Sequence, residues 1–593
     1  MTVADTTHRV QRLKKAPASP LRRAVLTGLV FGIVGIYLAA VGILVMIHGR
    51  AIVVDVLSLG QVALIAIALG AGAFIARRET ARRLPEVLLH SVLAGAITGL
   101  MLAALVLAMD TFDLRSIFIA LSPQLEEMLT FGFDDIFTGL AILVLASAVL
   151  GGLGAILAHA SPAIRKPINI GIVAVVVFGV FQELIQLILP TADWFDPIHD
   201  LIYTYEGLTQ EGALIIFAIA AGLSALWSWY EGRETAAERD ATERRAGTVV
   251  KVLAALVLVV VLPLVAGNYI GQVLMLVGLY ILMGMGLNLE IGLAGLLDLG
   301  FVAFFAVGAY TTALLTADSP HALAAYTAFP SLSYWQAMPL AVLASVIVGI
   351  LFGIPVLGVR GDYLAVATMG LGEIVRVIVQ SDAAAPLLAG AEGILQIPKP
   401  RLFGFELGDP VELFYLTLVC AGVAAYFAWR LENSRLGRAW MAVRDDEDVA
   451  QALGINLVKV KLLAYGLGAA FAGLAGSIFA VMLTSVYPSS FQLLVSINVL
   501  ALIIVGGMGS LPGVIVGALA LVGLPELLRE FGEYRYLFYG VALILMMRLR
   551  PEGLWPSATR RRELRAAAEG ADPELEPAPS IAAVTAPEPP QGQ

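Results

Sequence analysis

The densest run of chemistry-bearing residues in this sequence is Arg435–Lys461, a charged island between two long apolar stretches. Its centre reads Arg444-Asp445-Asp446-Glu447-Asp448 and then runs through Ala450 to Gly454. These residues are spaced for holding a helix, not for making bonds. Asp445 stands at an N-cap position with Asp448 three residues on, a capping-box-like spacing. Asp446 and Glu447 fall in the first turn, where the helix dipole favours negative charge. Gly454 supplies the stop. The spacing predicts one short helix over about 446–453, too short to be stable alone, so it must pack on the rest of the chain, on a soluble partner, or on both. The chemistry implied is docking: a rigid polar knob can pass force between a soluble body and an apolar one.

Sites for bond-making chemistry are hard to find. The chain has no Gly-x-x-x-x-Gly-Lys-Ser/Thr loop for phosphate, no His-Glu-x-x-His and no Gly-x-Ser-x-Gly elbow. Its histidines (His8, His48, His90, His159, His199 and His321) never fall at metal-ligand spacing, and Cys420, the single cysteine, excludes an intrachain disulfide. Enzyme activity and a resident cofactor or metal are therefore not expected. Few ionisable residues interrupt the apolar stretches, and each is costly there. Glu290, Asp298, Arg360 and Asp362 fall near predicted ends and read as solvated caps. Glu373 and Arg376 lie three apart, on one helix face, and read as an ion pair. No ladder of acids and histidines marks a proton pump.

The elements that must position these residues are membrane helices. The chain has 593 residues, 59% of them hydrophobic and 14% charged, with mean hydropathy +0.87; an average soluble protein carries about 25% charged residues. Its 59 glycines suit closely packed membrane helices. Apolar runs predict roughly sixteen spans, at about 24–47, 51–76, 86–109, 137–159, 167–190, 211–230, 248–267, 270–290, 293–315, 336–357, 361–380, 411–429, 462–484, 493–507, 512–526 and 534–548. The first is too long for a signal-peptide core and reads as a span. With that count every large basic cluster falls on the side of Lys14, Lys15, Arg22 and Arg23: Arg77, Arg78, Arg82 and Arg83; Arg165 and Lys166; Arg233, Arg239, Arg244 and Arg245; the Arg435–Lys461 island; and Arg548, Arg550 and Arg560 to Arg562. The positive-inside rule makes that side, with both termini, cytoplasmic. The loops near 110–136 and 191–211 are acidic (Asp110, Asp113, Glu126, Glu127, Asp134, Asp135; Asp193, Asp196, Asp200, Glu206, Glu211) and fall outside. The net charge of -9 gathers in such loops and in the tail, and gives no reason to expect nucleic acid.

A charged linker at 231–247 divides an N-terminal block, 1–245, of about six spans from a core, 246–556, of about ten. The tail, 557–593, is rich in Ala, Glu and Pro and reads as disordered. Two glycine-rich breaks echo one another, Gly292 to Gly300 and Gly506 to Gly513. Paired breaks of this kind mark a translocation path between repeats, or simply helix packing through small residues; both readings stand.

Residues of about 250–556 resemble the LivM-type permease subunit of ABC importers for branched-chain amino acids. The resemblance rests on Gly286–Tyr310, Arg360–Arg376, the Ser434–Lys461 island, Gly506–Gly513 and Arg550–Pro556. It implies an all-α, polytopic type II importer fold in a bacterial inner membrane. It further implies a LivH-like second permease, two cytoplasmic ABC ATPase subunits that hold the ATP and magnesium, and an extracytoplasmic binding protein that selects substrate. Glu447, Ala450 and Gly454 match the family's coupling helix, which makes Arg444, Asp445, Asp446, Glu447, Asp448, Ala450 and Gly454 the expected ATPase-coupling residues. Val449 departs, standing where an alanine is common. Asn288, Gly292, Gly295, Gly300, Gly370, Gly372, Glu373, Gly506, Gly507 and Gly509 are the expected pathway residues. Urea or short amides are alternative cargoes, and an ion-coupled transporter working alone is the rival class. The block 1–245 is longer than the short extension usual in the family, and the resemblance assigns it no role.

Overall fold

The computed structural model describes residues 19–557 except 55, 80–83, 117, 134, 183–184, 187–195, 205–206, 235–240, 320–330, 357, 360–361, 530–533 and 551. His8, Lys14, Lys15, Arg82, Arg83, Asp134, Asp193, Glu206, Arg239, His321, Arg360, Arg560 to Arg562 and the tail from 558 lie outside the described residues. The chain forms two compact units, Met1–Lys251 and Val252–Gln593.

In the first unit, α1 (Pro20–Ala40), α3 (Leu59–Arg78), α4 (Leu84–Thr111) and α6 (Ile136–His159) pack on one another. Short elements join them at one end: α2 (Ile43–His48), the antiparallel pair β1 (Ala51–Val53) and β2 (Leu57–Ser58), and α5 (Pro123–Leu129). Then α7 (Pro162–Val180), α8 (Asp196–Ile202) and α9 (Gln210–Glu234) follow, with α7 packed on α9. Two expected span ends move for local reasons. Gly42, at φ 86°, breaks the first helix after Ala40. The second helix begins only at Leu59, where Ser58 and Gln61 form a reciprocal capping box.

The second unit opens with α10 (Ala241–Leu287), interrupted at Gly267 (φ 75°) and continued by a π-helical turn, Asn288–Leu293. Next come α11 (Val302–Thr316), α12 (Tyr334–Val356) and α13 (Asp362–Gln380), the short α14 (Ala385–Leu388), a small hairpin of β3 (Arg401–Leu402) and β4 (Phe405–Glu406), and α15 (Pro410–Glu432). The charged island forms α16 (Arg435–Asp445) and α17 (Glu447–Ala452). The unit ends with α18 (Leu457–Leu483), α19 (Leu493–Gly506), α20 (Leu511–Ala518), a second π turn (Leu519–Gly523), α21 (Leu524–Leu527) and α22 (Tyr534–Leu549). The spine is α18, packed against both α11 and α12. Glycines permit this. A Cβ on Gly476 would strike Ala309 N at 2.8 Å, and one on Gly473 would strike Ser345 Cβ at 2.5 Å. Between the close backbones Thr312 donates to Ser477 Oγ at 2.9 Å and Ser345 to Phe304 O at 3.1 Å. Lipid tails give helices no hydrophobic reason to associate, so small residues and such hydrogen bonds carry the packing.

Helices lie over all of the expected spans, and the protein is a polytopic all-α membrane protein. Twelve helices among the described residues are long and apolar enough to cross a bilayer; Val302–Thr316 and Leu511–Leu527 are too short. The expected span at 293–315 is shortened because Gly295 turns at φ 73° and Asp298 accepts from Gly300 N at 2.7 Å, folding 294–301 away from helix.

The first bundle yields one prediction. Gly151 meets Ser91 O at 2.5 Å from a built Cβ, and Ser91 donates to Gly72 O at 3.1 Å. Gly151→Leu is expected to cost about 1–3 kcal/mol and lower the melting temperature in detergent. Leu145→Ala, on the exposed face of the same helix, should leave it unchanged.

Candidate coupling site and its link to the glycine breaks

The charged island is a pair of helices, which corrects the expectation of one short helix capped by Asp445. Asp445 is the last residue of α16, and the N-cap of α17 is Asp446. One Asp446 oxygen accepts from Asp448 N and Val449 N, both at 2.9 Å. Asp446 can do this because its own backbone is extended (φ -159°, ψ 113°) between the two helices, as an N-cap requires. The stop is the expected one. Gly454 takes φ 87°, its N–H bonds to Gln451 O at 3.0 Å, and Ile455 N–H bonds to Ala450 O at 3.1 Å. That is the paired closure of a Schellman ending.

The knob is fixed to the membrane core on one side. Ala450 is buried, and so is Trp440, whose indole N–H donates to Val460 O at 2.8 Å. Lys461 is buried at the start of α18 and reaches Glu447 Oε1 at 2.7 Å. The other side is open: Asp445, Asp446, Asp448, Val449, Gln451 and Leu453 are exposed. Arg444 is exposed as well, lies 3.5 Å from Asp445 Oδ1 through one guanidinium nitrogen, and donates through another to Gly292 O at 2.7 Å.

That bond leads straight to the glycine breaks. Arg444 lies against Gly295, where a Cβ would meet its Cγ at 2.7 Å. Gly292 in turn faces Gly509: its Cβ would sit 2.7 Å from Gly509 N. Asn288 Oδ1 accepts from Gly509 N at 2.8 Å across 221 positions of sequence. The two breaks that echo one another in sequence therefore touch. Gly507 (φ 122°) and Gly509 (φ 72°) use conformations that side chains rarely adopt. The end of the unit closes over them, with Trp555 N–H on Gly506 O at 2.8 Å. Further along, Gly372 lies 3.0 Å from Gly300 Cα when given a Cβ. Leu299 N–H donates to Thr368 Oγ1 at 3.0 Å, tying this loop to α13.

Two expected pathway residues stand apart. Gly370 has nothing within 4 Å of a built Cβ. Glu373 pairs with Arg376 on the exposed face of α13, away from the breaks.

The reading of Glu290 and Asp298 as solvated caps is overturned: both are buried, at 0% and 1% exposure. Their carboxyl groups lie near one another. Glu290 rests on Gly468 of α18, where a Cβ would meet its Cδ at 2.7 Å. Neither Glu290 oxygen, nor Asp298 Oδ2, nor the buried Tyr465 hydroxyl has a partner. Lys461, Tyr465 and Gly468 were not singled out in the sequence. Their spacing, four and then three, puts them on one helix face, and a lysine just inside an apolar run beside an acidic cap is the signal that marks it.

The fold and this arrangement define a membrane-embedded transport subunit, in which broken helices meet at the core and a rigid knob is tied to them from one side. The chain belongs to the family of permease components of branched-chain amino acid transport systems, whose match covers residues 269–547. It is 39% identical over 336 residues to the high-affinity branched-chain amino acid transport system permease protein LivM of Salmonella typhimurium, covering 53% of this chain and 76% of that protein. A probable LivM of Methanocaldococcus jannaschii is 24% identical over 329 residues, 49% of this chain and 94% of the relative. The permease protein LivH of Escherichia coli is 32% identical over 127 residues, 21% and 41% of the two chains. No solved structure matches. The family match begins after the first unit.

Glu290→Gln places an amide donor near Asp298 and removes a buried ionisable group. It is expected to hold or raise thermal stability, because a buried unsatisfied acceptor costs about 1–3 kcal/mol. Gly468→Leu, which evicts the Glu290 side chain, should lower stability by about 1–3 kcal/mol. Thermal unfolding of the purified variants reads both.

Proposed function

We propose that this chain is one half of the membrane pathway of an ATP-driven importer for branched-chain or related hydrophobic amino acids. It sits in a bacterial inner membrane with both termini in the cytoplasm. A LivH-like permease forms the other half, two cytoplasmic ATPase subunits hold ATP and magnesium, and an extracytoplasmic protein delivers the substrate. The observation that carries this reading is the unbroken route from knob to core: Glu447 to Lys461, Arg444 to Gly292, and Gly292 to Gly509.

The exposed side of α17 offers acidic caps together with Val449 and Leu453, a mixed surface for a soluble partner to grip. When nucleotide draws the ATPases together, the push on α17 reaches two places at once. Through Glu447 and Lys461 it moves the foot of α18. Through Arg444 it moves the first glycine break, which Asn288 ties to the second. The substrate path then changes which side it faces, and differential affinity of ATP for the two arrangements supplies the bias. The relatives named for branched-chain amino acid transport support a hydrophobic amino acid as the cargo.

The complete importer reconstituted in vesicles tests this. Glu447→Lys leaves Lys461 buried beside a like charge and should cut uptake on the order of tenfold while ATP hydrolysis continues, the scale of a coupling free energy of about 1–3 kcal/mol. The exchange Glu447→Lys with Lys461→Glu should recover most of the uptake. Unchanged uptake in the single variant would remove the lever from the mechanism. Uptake by the purified chain without ATPases would overturn the class.

A further inference from the structure

The first unit lies outside the family match, yet its helical bundle contains a two-part cavity. The ends of α1 and α4 and the starts of α3 and α6 meet at one end of the bundle, opposite Arg22, Arg23, Arg77 and Arg78. At that end an open chamber of about 510 Å³ is lined by His48, Gln61, Gln124 and Glu127, with Phe131 at its floor. A second cavity of about 220 Å³ continues into the bundle between Leu64, Ala68, Leu102 and Leu143. Gln61 and Phe131 line both.

The outer chamber carries one carboxylate, Glu127, beside the amides of Gln61 and Gln124 and the ring of His48. Glu127 is exposed in the chamber and forms no ion pair among the described residues, and no lysine or arginine lines the wall. Gln61 Oε1 is taken by Ser58 N at 3.0 Å, which leaves its amide nitrogen as a donor. His48 is held in place by Ser58 Oγ at 2.7 Å. Phe131, at the junction, is held at φ 58°, a conformation rare for an aromatic residue, with Gly132 at φ 71° completing the turn. Strained residues of this kind cluster where ligands are held.

We infer that this bundle binds a small amphiphile, with a primary ammonium head at Glu127 and an apolar chain in the inner cavity. The inner cavity, about 220 Å³ and lined mostly by apolar side chains, takes a short alkyl chain. The inference does not rest on the transport reading, because every residue in it belongs to the first unit.

Binding of labelled alkylamines to the full chain in phosphatidylcholine nanodiscs, with protein-free nanodiscs subtracted, tests it. From butylamine to octylamine affinity should rise about fourfold per methylene and then level off at decylamine and dodecylamine. Glu127→Gln, an exposed change that leaves the melting temperature alone, should weaken octylamine about two- to fivefold and leave octanol unaffected. Ala68→Phe, which fills the inner cavity, should remove the gain between butylamine and octylamine. Affinity that climbs without levelling and ignores Glu127→Gln is partition into lipid, and overturns the site. Displacement of octylamine when phosphatidylethanolamine is added to the nanodiscs assigns the ammonium to a lipid headgroup, and overturns the small-molecule reading.

Discussion

Everything in the second unit depends on two interrupted stretches of backbone lying against each other inside a membrane protein. Irregular backbone at that depth is tolerated only where its polar groups are met by protein. Here Asn288 meets Gly509 N–H, Arg444 meets Gly292 C=O, and Val505 and Gly506 receive Leu554 and Trp555. Each bond needs an approach that a side chain would block, which is why Gly292, Gly295, Gly507 and Gly509 stand where they do. The first region includes a π-helical turn, Asn288–Leu293, and a second such turn, Leu519–Gly523, follows α20; turns of that type often occur at functional sites.

The same economy of small residues explains how motion could travel. The packed face of α18 carries Lys461, Tyr465, Gly468, Gly473 and Gly476 in order. The first holds the knob, the middle two meet the buried carboxyl pair, and the last two admit Ser345 and the backbone of α11. A helix seated this closely cannot flex locally without disturbing every neighbour. It is suited to move as one body. The buried carboxyl pair sits where that body meets the first break, so α18 and the Asn288–Leu293 turn share an uncompensated polar contact rather than a purely apolar one.

The first unit uses a related construction with a different result. Gly72, Gly95, Gly151 and Gly154 bring α3, α4 and α6 into backbone contact in the bundle. At the end where α2, the β1–β2 pair and α5 cap the bundle the helices separate, and a cavity opens.

The sequence alone determined what depends on neighbours along the chain and on solvent. Hydropathy placed the helices, charge placed the island, and Gly454 fixed the end of α17. The motifs from Gly286 to Pro556 carried the family. Span limits failed where a local bond overrode the apolar run, as at Gly42, Ser58 and Asp298. The cap shifted from Asp445 to Asp446 because two helices meet there, and adjacent aspartates look alike in sequence. Only tertiary structure decided that Arg444 reaches Gly292, that Lys461 is Glu447's partner, that the two breaks touch, and that Glu290 and Asp298 are buried together. Burial and pairing depend on which helix arrives from hundreds of residues away, and no local pattern encodes that arrival.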